Sequence, residues 1–176
     1  MLLIKTVFTN CQNSKIKYFS AQSRKVSSAV VDTHLKLASE LQEHYPDFVV
    51  GFDLVGQEDL GRPLVEFAPQ LLEAKATYPG LNFFFHAGET DWQGSQADLN
   101  IMDAVLLNAT RIGHGYSITK HPKVLQMARD RDIPIEVCPI SNQVSCKRKF
   151  SNPNLTLFKT TYSIMQGNGG KLLQFL

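Results

Sequence analysis

The sequence predicts an α/β fold, and within that class it favours a (β/α)₈ barrel over a doubly wound sheet. Short apolar runs alternate along the chain with segments whose apolar residues recur every three or four positions, the signature of βαβ units. His86, His114 and Ser141 come just past three of these runs. Barrel strands carry active sites at their carboxyl ends, whereas a doubly wound sheet calls for a glycine-rich phosphate loop after an early strand, which this sequence lacks.

Five apolar runs are expected to form strands buried on both faces, as in a parallel sheet. Three are well defined, at residues 2–8, 48–54 and 81–85, and two weaker ones lie at residues 110–113 and 133–137. A complete barrel has eight strands and typically about 250 residues. We therefore expect an incomplete (β/α)₈ barrel with about five of the eight strands present.

Four helices are predicted between the strands, at residues 26–44, 64–76, 100–107 and 122–130. In the first of them the apolar residues share one face, and Pro46 ends it. Pro122 is expected in the first turn of the fourth helix, where its missing N–H leaves no hydrogen bond unmade.

The composition is that of a single soluble globular domain. The chain has 176 residues, of which 43% are hydrophobic and 19% are charged, and both fractions are ordinary for globular proteins. A net charge of +2 is too small to indicate a nucleic acid or an anionic membrane surface as a partner. The three cysteines lack the spacing of a disulfide framework or a structural zinc site.

The sequence also carries no membrane or export signal of its own. No segment approaches the roughly 18 consecutive apolar residues of a membrane span. The first residues lack the basic segment, apolar stretch and small-residue cleavage site of a signal peptide. On these features alone, the chain as written is expected to stay inside the cell and off the membrane.

The segment FHAGETDW at residues 85–92 carries the most informative chemical pattern. A histidine leaving a buried strand, with Glu89 three residues later, can place a metal ligand beside a proton donor. A strand-end histidine is more often structural than catalytic, however. His86 and Glu89 taken alone therefore leave both interpretations open.

Three further segments end predicted strands. RIGHG at residues 111–115 has a glycine on each side of His114, so backbone and ligand can approach the imidazole closely; a turn histidine without a chemical role is the alternative. GFDLVGQE at residues 51–58 contains Gly56, which can present its N–H to a ligand. EVCPISN at residues 136–142 contains Ser141.

These four segments, in this order, resemble the adenosine deaminase family, most closely its secreted branch, the adenosine-deaminase-related growth factors. HAGETDWQG at residues 86–94 and IEVCPISNQV at residues 135–144 look characteristic of that branch. The resemblance covers roughly residues 3–144. We therefore expect a partial deaminase barrel at residues 1–144 and an irregular tail outside the family at residues 145–176. The zinc cytidine deaminases differ, because they use His-x-Glu and Pro-Cys-x-x-Cys elements that this sequence lacks.

The resemblance implies a zinc-dependent hydrolytic deamination of adenosine and deoxyadenosine to inosine and ammonia. It implies that His86 is a zinc ligand, that Glu89 protonates a purine ring nitrogen, and that His114 orients and helps deprotonate the attacking water. The N–H of Gly56 would meet the purine ring. The resemblance further implies an extracellular location, in contrast to the missing export signal, and a homodimer in the full-length family.

The sequence departs from the family pattern in its metal ligands. That pattern has a His-x-His pair on the first barrel strand and an Asp-Asp pair on the last, and neither occurs here. Of four expected zinc ligands only His86 is present, and one imidazole will not hold a catalytic zinc ion. Three hypotheses stay open: a deaminase whose other parts lie on a longer chain, an inactive fragment that pairs with a partner through open sheet edges, and a nucleoside-binding module that uses Gly56 and Glu89.

Overall fold

The fold is taken from a computed structural model that describes residues 3–7, 17–90, 94–138, 141 and 172–174. The described strands all belong to one sheet. They are β1 (Leu3–Val7), β2 (Lys17–Ser23), β3 (Val49–Val55), β4 (Phe83–Ala87), β5 (Arg111–His114), β6 (Ile135–Val137) and β7 (Leu172–Gln174). The α-helices are α1 (Ser28–His44), α2 (Ala68–Thr77), α3 (Gln96–Leu106) and α4 (Pro122–Asp130), with 3₁₀ turns at Leu64–Phe67 and Tyr116–Lys120.

The strands lie side by side in the same order as in the chain. β2 to β7 are parallel to one another, and β1 pairs antiparallel with β2. A doubly wound sheet reverses its strand order at a switch point, and the strands described here run from β1 to β7 without a reversal. The order is that of a barrel wall.

The helices all pack on one face of the sheet. Alternate strand residues, such as Phe52 and Leu54 of β3, point to that face and share one hydrophobic core with the helices. The helices contribute Val31, Leu35, Ala38, Leu71, Ala74, Ile101, Ala104, Val105, Val124, Leu125 and Ala128 to it. The intervening residues, Asp53 and His86 among them, point to the opposite face. A parallel sheet covered by helices on one face is a barrel segment, so the predicted incomplete barrel is confirmed.

All five predicted strands are present, but the sheet contains two more. The run at residues 2–8 forms β1, which is antiparallel to β2 and does not start a parallel βαβ unit as expected. β2 was missed because it mixes polar and apolar residues: Ser20, Ala21 and Gln22 are all buried in it. β7 lies within residues 145–176, where no strand was expected, and pairs with β6. A three-residue strand is too short to show a periodic pattern.

The helices agree with the prediction to within two residues except at two starts. α3 begins at Gln96, four residues before the predicted start, because Ser95 caps it: its Oγ accepts a hydrogen bond from the Asp98 N–H. The predicted helix at residues 64–76 begins as a 3₁₀ turn and continues as α2. Pro122 is the first residue of α4, as predicted. Among the described helices, none combines the length and the apolar character needed to cross a bilayer.

Candidate active site

The predicted site residues gather at the carboxyl ends of β3, β4 and β5. His86 is the fourth residue of β4 and His114 the last of β5, so both lie inside their strands and not just past them as the sequence suggested. Glu89 follows the end of β4 by two residues, and Gly56 directly follows β3. His86, Glu89 and His114 are only 8, 9 and 6% exposed. These three side chains are thus shielded from bulk water at the rim expected for a barrel enzyme.

The rings of His86 and His114 face each other across β4 and β5. Their centroids are 5.4 Å apart and their planes are inclined at 60°. In a regular strand His114 would point to the same face as Ile112, towards the helices. Its backbone instead has a φ of 70°, a left-handed conformation that costs a residue with a Cβ about 1–3 kcal/mol. With this conformation the side chains of β5 no longer alternate regularly between the two faces of the sheet, and the His114 ring lies beside the His86 ring.

Asp53 holds the His86 ring from the neighbouring strand. Asp53 pairs with Phe84 in the sheet register, so its side chain shares a face with His86, two residues further on. The His86 Nδ1 atom lies 3.1 Å from Asp53 Oδ1 and 3.0 Å from Oδ2. Because a carboxylate only accepts hydrogen bonds, Nδ1 carries the proton in the neutral form of the ring, and Nε2 is then the nitrogen with a lone pair. This is the carboxylate–histidine arrangement that fixes the tautomer of metal-binding histidines.

A buried guanidinium continues the polar row towards β6. The Arg111 Nη2 atom lies 3.6 Å from Asp53 Oδ2, and its Nη1 atom lies 3.3 Å from Glu136 Oε2. Its Cζ atom also stands 5.6 Å from the centre of the Phe84 ring. A Cβ atom at Gly113 would come within 2.7 Å of Arg111 Nη1, so glycine leaves room for this side chain. The row thus places alternating charges on β3, β5 and β6, and His86 of β4 also contacts Asp53.

Glu58 binds the backbone of the segment that carries Glu89. Its Oε1 accepts hydrogen bonds from the Gly88 N–H at 3.2 Å and from Asn100 Nδ2 at 3.0 Å. Its Oε2 accepts a hydrogen bond from the Glu89 N–H at 2.5 Å. Glu58 is 2% exposed. Burial raises the pKa of its carboxyl group, while the positive charge of Arg24 opposes that rise.

Arg24, the residue after β2, binds the same segment from the other side. It is fully buried, and its Nη2 donates hydrogen bonds to the His86 carbonyl at 2.5 Å and to the Leu54 carbonyl at 3.4 Å. Its Nη1 atom lies 3.9 Å from Glu58 Oε1. Burial lowers the pKa of Arg24, and the charges of Glu58 and of Asp53 counteract this. Arg24 and Glu58 thus form an ion pair beneath the strand ends.

Gly56 has a backbone conformation that favours glycine. Its φ is 105°, a region that residues with a Cβ rarely adopt. Among the described residues space is not the constraint, since a Cβ there would lie 3.7 Å from the nearest of their atoms, Ser23 Oγ. Ser141, the residue that the sequence suggested after β6, is exposed. Asp91 and Trp92 lie outside the described residues.

A metal ion needs more ligands than the described residues provide. A catalytic zinc site has three protein ligands and a water molecule. In the described part of the chain, no three histidine, cysteine, aspartate or glutamate side chains are grouped so that they could hold a metal ion. His86, oriented by Asp53, is suited to be one ligand. The described residues therefore fit part of a zinc site and do not complete one.

Asp53, Arg24 and Glu58, which support this site, were not predicted from the sequence. Asp53 did give a signal, because a carboxylate in the middle of an apolar run is costly to bury unless it has a partner. Arg24 and Glu58 gave none, because their partners are distant in the chain: Arg24 binds the carbonyl of a residue 62 positions away, and Glu58 binds an N–H 30 positions away. Only the sheet topology brings these groups together.

Solved structures with the same architecture are deaminases and related hydrolases. The N6-mAMP deaminase of Arabidopsis aligns with a TM-score of 0.67 at 22% identity, over 90% of this chain and 42% of that one. An adenine deaminase from Arthrobacter aurescens aligns with a TM-score of 0.62 at 24% identity, over 89% and 42%. An amidohydrolase from Burkholderia ambifaria, with bound Zn, aligns with a TM-score of 0.64 at 21% identity, over 90% and 40%. At these identities the likeness establishes the fold alone, which is part of a (β/α)₈ barrel.

Sequence comparison identifies the family. The family model described as adenosine deaminase matches residues 3–161, and this chain belongs to that family. It is 46% identical over 152 residues to an adenosine deaminase of Aedes albopictus, covering 85% of this chain and 28% of the mosquito protein. It is 46% identical over 140 residues to human adenosine deaminase 2, covering 80% and 27%. The chain thus spans about a quarter of the length of these relatives.

Proposed function

We propose that this chain takes part in the hydrolytic deamination of adenosine and deoxyadenosine, in which water replaces the amino group and ammonia leaves. The observation that carries the proposal is the meeting of the two buried imidazoles of His86 and His114, 5.4 Å apart, at the strand ends of a chain of the adenosine deaminase family. Because the chain spans about a quarter of its relatives, the rest of the site would come from other parts of a longer protein.

Glu89, His114 and Gly56 each have a proposed role that suits their position. The addition of water to the six-position carbon of the purine puts electron density on a ring nitrogen, and a protonated Glu89 would supply a proton there. His114 would orient the attacking water and accept its proton, which the departing amino group then receives. The Gly56 N–H would donate a hydrogen bond to the purine ring.

Zinc is the proposed cofactor, with Nε2 of His86 as one of its ligands. The Asp53 carboxylate on Nδ1 supports this role, because such a partner orients a ligating imidazole and raises its basicity. A bound zinc ion would supply hydroxide at neutral pH by lowering the pKa of a coordinated water to about 7. The other ligands would lie outside the described residues. The bound Zn in one fold neighbour agrees with this cofactor.

A second candidate is a chain that binds a nucleoside, or a partner chain, without turnover. One observation favours it: the described residues hold no group of three metal-binding side chains. Gly56 and Glu89 would then contact the purine, and catalysis would be absent. Stoichiometric zinc separates the enzyme from this candidate.

The location and assembly of the protein follow from the family resemblance. We propose that it acts outside the cell, as a homodimer in its full-length form, on a small-molecule substrate and not on a nucleic acid or a membrane. The presence of the native protein in the medium of its own cells, with twice the mass of one chain in solution, would support this. Retention inside the cell as a monomer would contradict it.

The experiment that tests the proposed function is a measurement of zinc content and inosine formation on the purified full-length protein that contains this chain, repeated with Glu89→Gln. Glu66→Gln is the matched control, because Glu66 is a surface residue paired with Arg62. About one zinc per chain, with turnover lost in Glu89→Gln and kept in Glu66→Gln, supports the deaminase. A folded chain with neither zinc nor inosine, but with measurable adenosine binding, supports the second candidate.

A further inference from the structure

We propose that the buried Arg24–Glu58 pair is a positioning device that fixes the backbone from His86 to Glu89, and with it the two side chains at its ends. The inference deepens the proposed function and rests on it for the chemistry of those side chains. In this role Arg24 and Glu58 hydrogen-bond to carbonyl and N–H groups of the segment. They act through the main chain.

The backbone after β4 needs partners that the sheet does not supply. The register between β4 and β5 ends at Ala87 and His114. The carbonyls of Ala87 and Gly88 are taken by N–H groups of the loop after β5, at 2.9 and 3.2 Å. The N–H groups of Gly88 and Glu89 point the other way, and both are taken by the single carboxylate of Glu58. Buried N–H groups require such an acceptor, and Glu58 provides it where the ladder stops.

Arg24 secures the other end of the segment. The carbonyl of His86 accepts a hydrogen bond from the Arg24 guanidinium at 2.5 Å, and the Leu54 carbonyl on the neighbouring strand accepts another at 3.4 Å. One side chain therefore ties the end of β4 to the end of β3. The metal-binding candidate and the proton-donor candidate are held by two oppositely charged groups that are themselves paired.

The ionic character of the pair suits this task. Glu58 accepts three hydrogen bonds, from Gly88, Glu89 and Asn100, and a carboxylate offers strong acceptor sites on both oxygens, whereas a neutral amide offers one acceptor oxygen. The Arg24 charge 3.9 Å away favours the ionised state that can do so. Burying two charged side chains costs stability, and here they bind only a four-residue backbone segment. The pair is therefore better explained by a geometric role than by stabilisation of the fold.

The pair also has a space reserved for it. A Cβ atom at Gly61 would lie 2.3 Å from both Cγ and Cδ of Arg24. The chain thus has its smallest residue where the arginine stem passes. Gly61→Ala is therefore a way to displace Arg24 without changing either charged group.

A positioning role predicts an effect on kcat that a purely structural role does not predict. Displacing a reacting group by about 1 Å can reduce a rate by about two orders of magnitude while the substrate still binds. Loosening the backbone from His86 to Glu89 should therefore lower kcat far more than it changes KM. A side chain that only stabilised the fold would change the fraction of folded protein and leave both constants of the folded fraction alone.

The test uses backbone amide hydrogen exchange by NMR on the full chain, which reports on the segment whether or not the chain turns over substrate. In the parent chain the Gly88 and Glu89 amides should be protected although they lie beyond the ladder. In Glu58→Gln at least one of them should exchange about tenfold faster, as expected for the loss of one hydrogen bond. The Ile112 amide inside β5 should be unchanged, and Glu66→Gln should leave all three at the parent rate.

Two results would overturn the inference. One is a folded Glu58→Gln variant with unchanged exchange at both amides; the other is a parent chain in which both amides exchange as fast as in a peptide. The second needs no variant, so it applies even when Glu58→Gln does not fold. Gly61→Ala should also speed the exchange at Gly88 and Glu89, and unchanged rates there would speak against a role for Arg24.

Measurements of kcat and KM provide a separate test of the positioning role. In a preparation that forms inosine, Glu58→Gln should lower kcat about tenfold or more with KM within about twofold, and Glu66→Gln should lower neither. A fall in folded fraction with an unchanged kcat would overturn the positioning role. A full-length protein that forms no inosine would count against the proposed function alone, because the amide exchange result decides the positioning role without it.

Discussion

The Nδ1 atom of His86 lies within 3.1 Å of both carboxylate oxygens of Asp53, which is itself fully buried in the adjacent strand. Both residues lie on the sheet face away from the helices, so the pair joins two strands at the edge where the site is built. The geometry determines which imidazole nitrogen carries the proton, and three of the predictions below concern groups that hold this edge in place.

The first prediction is that Asp53→Asn changes the tautomer of His86 and weakens metal binding. The neutral amide no longer demands a proton on Nδ1, so the ¹⁵N shifts of the ring should move towards a mixture of tautomers. In a zinc-binding preparation the affinity should fall by about 10–100-fold, as is typical for the loss of a carboxylate behind a ligating histidine. Imidazole ¹⁵N NMR and competition with a chelator measure the two effects.

Asp98→Asn is the matched control for that change. Asp98 is equally buried and lies 3.0 Å from Nε2 of His121, away from the strand ends. It should alter the ring shifts of His121 and leave those of His86 and the zinc affinity at the parent values. An unchanged His86 tautomer in Asp53→Asn would contradict the prediction.

The second prediction concerns the pH dependence of stability at Glu58, which faces Arg24, Glu89 and Asn100. Burial raises the pKa of Glu58 in the folded chain above its ordinary value of 4.5. From pH 4.5 up to the folded-state pKa, the folded chain binds more protons than the unfolded chain. The free energy of unfolding that Glu58 contributes therefore falls as pH rises through this window, and below pH 4.5 it no longer changes.

Urea unfolding of the parent and of Glu58→Gln between pH 4.5 and 7 measures this effect. Gln does not titrate, so the stability of the variant relative to the parent should rise with pH, by at most about 1.4 kcal/mol per pH unit. Glu66→Gln should follow the parent across the range. A stability difference between Glu58→Gln and the parent that is independent of pH would show that Glu58 has the same pKa in both states.

Local pattern was enough to predict the frame of this fold. Residues 48–54 and 81–85 were recognised as strands because their apolar side chains face a continuous core, and α1 was recognised because Val31, Leu35 and Ala38 share one face. β2 was not, since Ser20 and Gln22 are buried although polar. Hydrophobicity cannot indicate such a strand; its burial comes from position in the sheet.

The residues of the candidate site differ in the same way: some are revealed by a local sequence pattern and others only by the fold. His86, Glu89 and His114 were proposed from the sequence because they stand in short motifs at predicted strand ends, and these motifs resemble those of the adenosine deaminase family. Arg24 and Glu58 were not, because their function in the fold depends on hydrogen bonds to a backbone segment on a different strand. A charged side chain has no local pattern that reveals which distant amide it will bind, so the support of the site becomes visible only in three dimensions.

The third prediction is that Ser95→Ala destabilises the start of α3. The Ser95 hydroxyl accepts a hydrogen bond from the Asp98 N–H at 3.3 Å, and the loss of such a cap typically costs about 1 kcal/mol. Ser27 occupies the same position at α1 but makes no side-chain capping bond. Ser27→Ala should therefore change the free energy of unfolding by less than about 0.5 kcal/mol. Equal losses in the two variants, measured by urea unfolding, would contradict this account.

The fourth prediction is that Gly115→Ala strongly disturbs the His114 end of the site. Gly115 has a φ of 56°, and a Cβ atom there would lie 2.4 Å from Ile135 Cγ2. The backbone strain costs about 1–2 kcal/mol, and overpacking against β6 adds about 1–3 kcal/mol. Since the Gly115 N–H binds the Ala87 carbonyl at 2.9 Å, the displacement should also move the His114 ring away from His86.

Gly94→Ala separates the two contributions. Gly94 has a φ of 79°, and no atom of the described residues lies within 4 Å of an added Cβ, so among those residues it incurs the strain without the overlap. Urea unfolding should therefore show a clearly smaller loss of stability in Gly94→Ala than in Gly115→Ala, and only Gly115→Ala should shift the NMR signals of the His86 and His114 rings. Losses of equal size would mean that β6 yields to the added methyl group, and that the packing of Ile135 does not hold His114 in place.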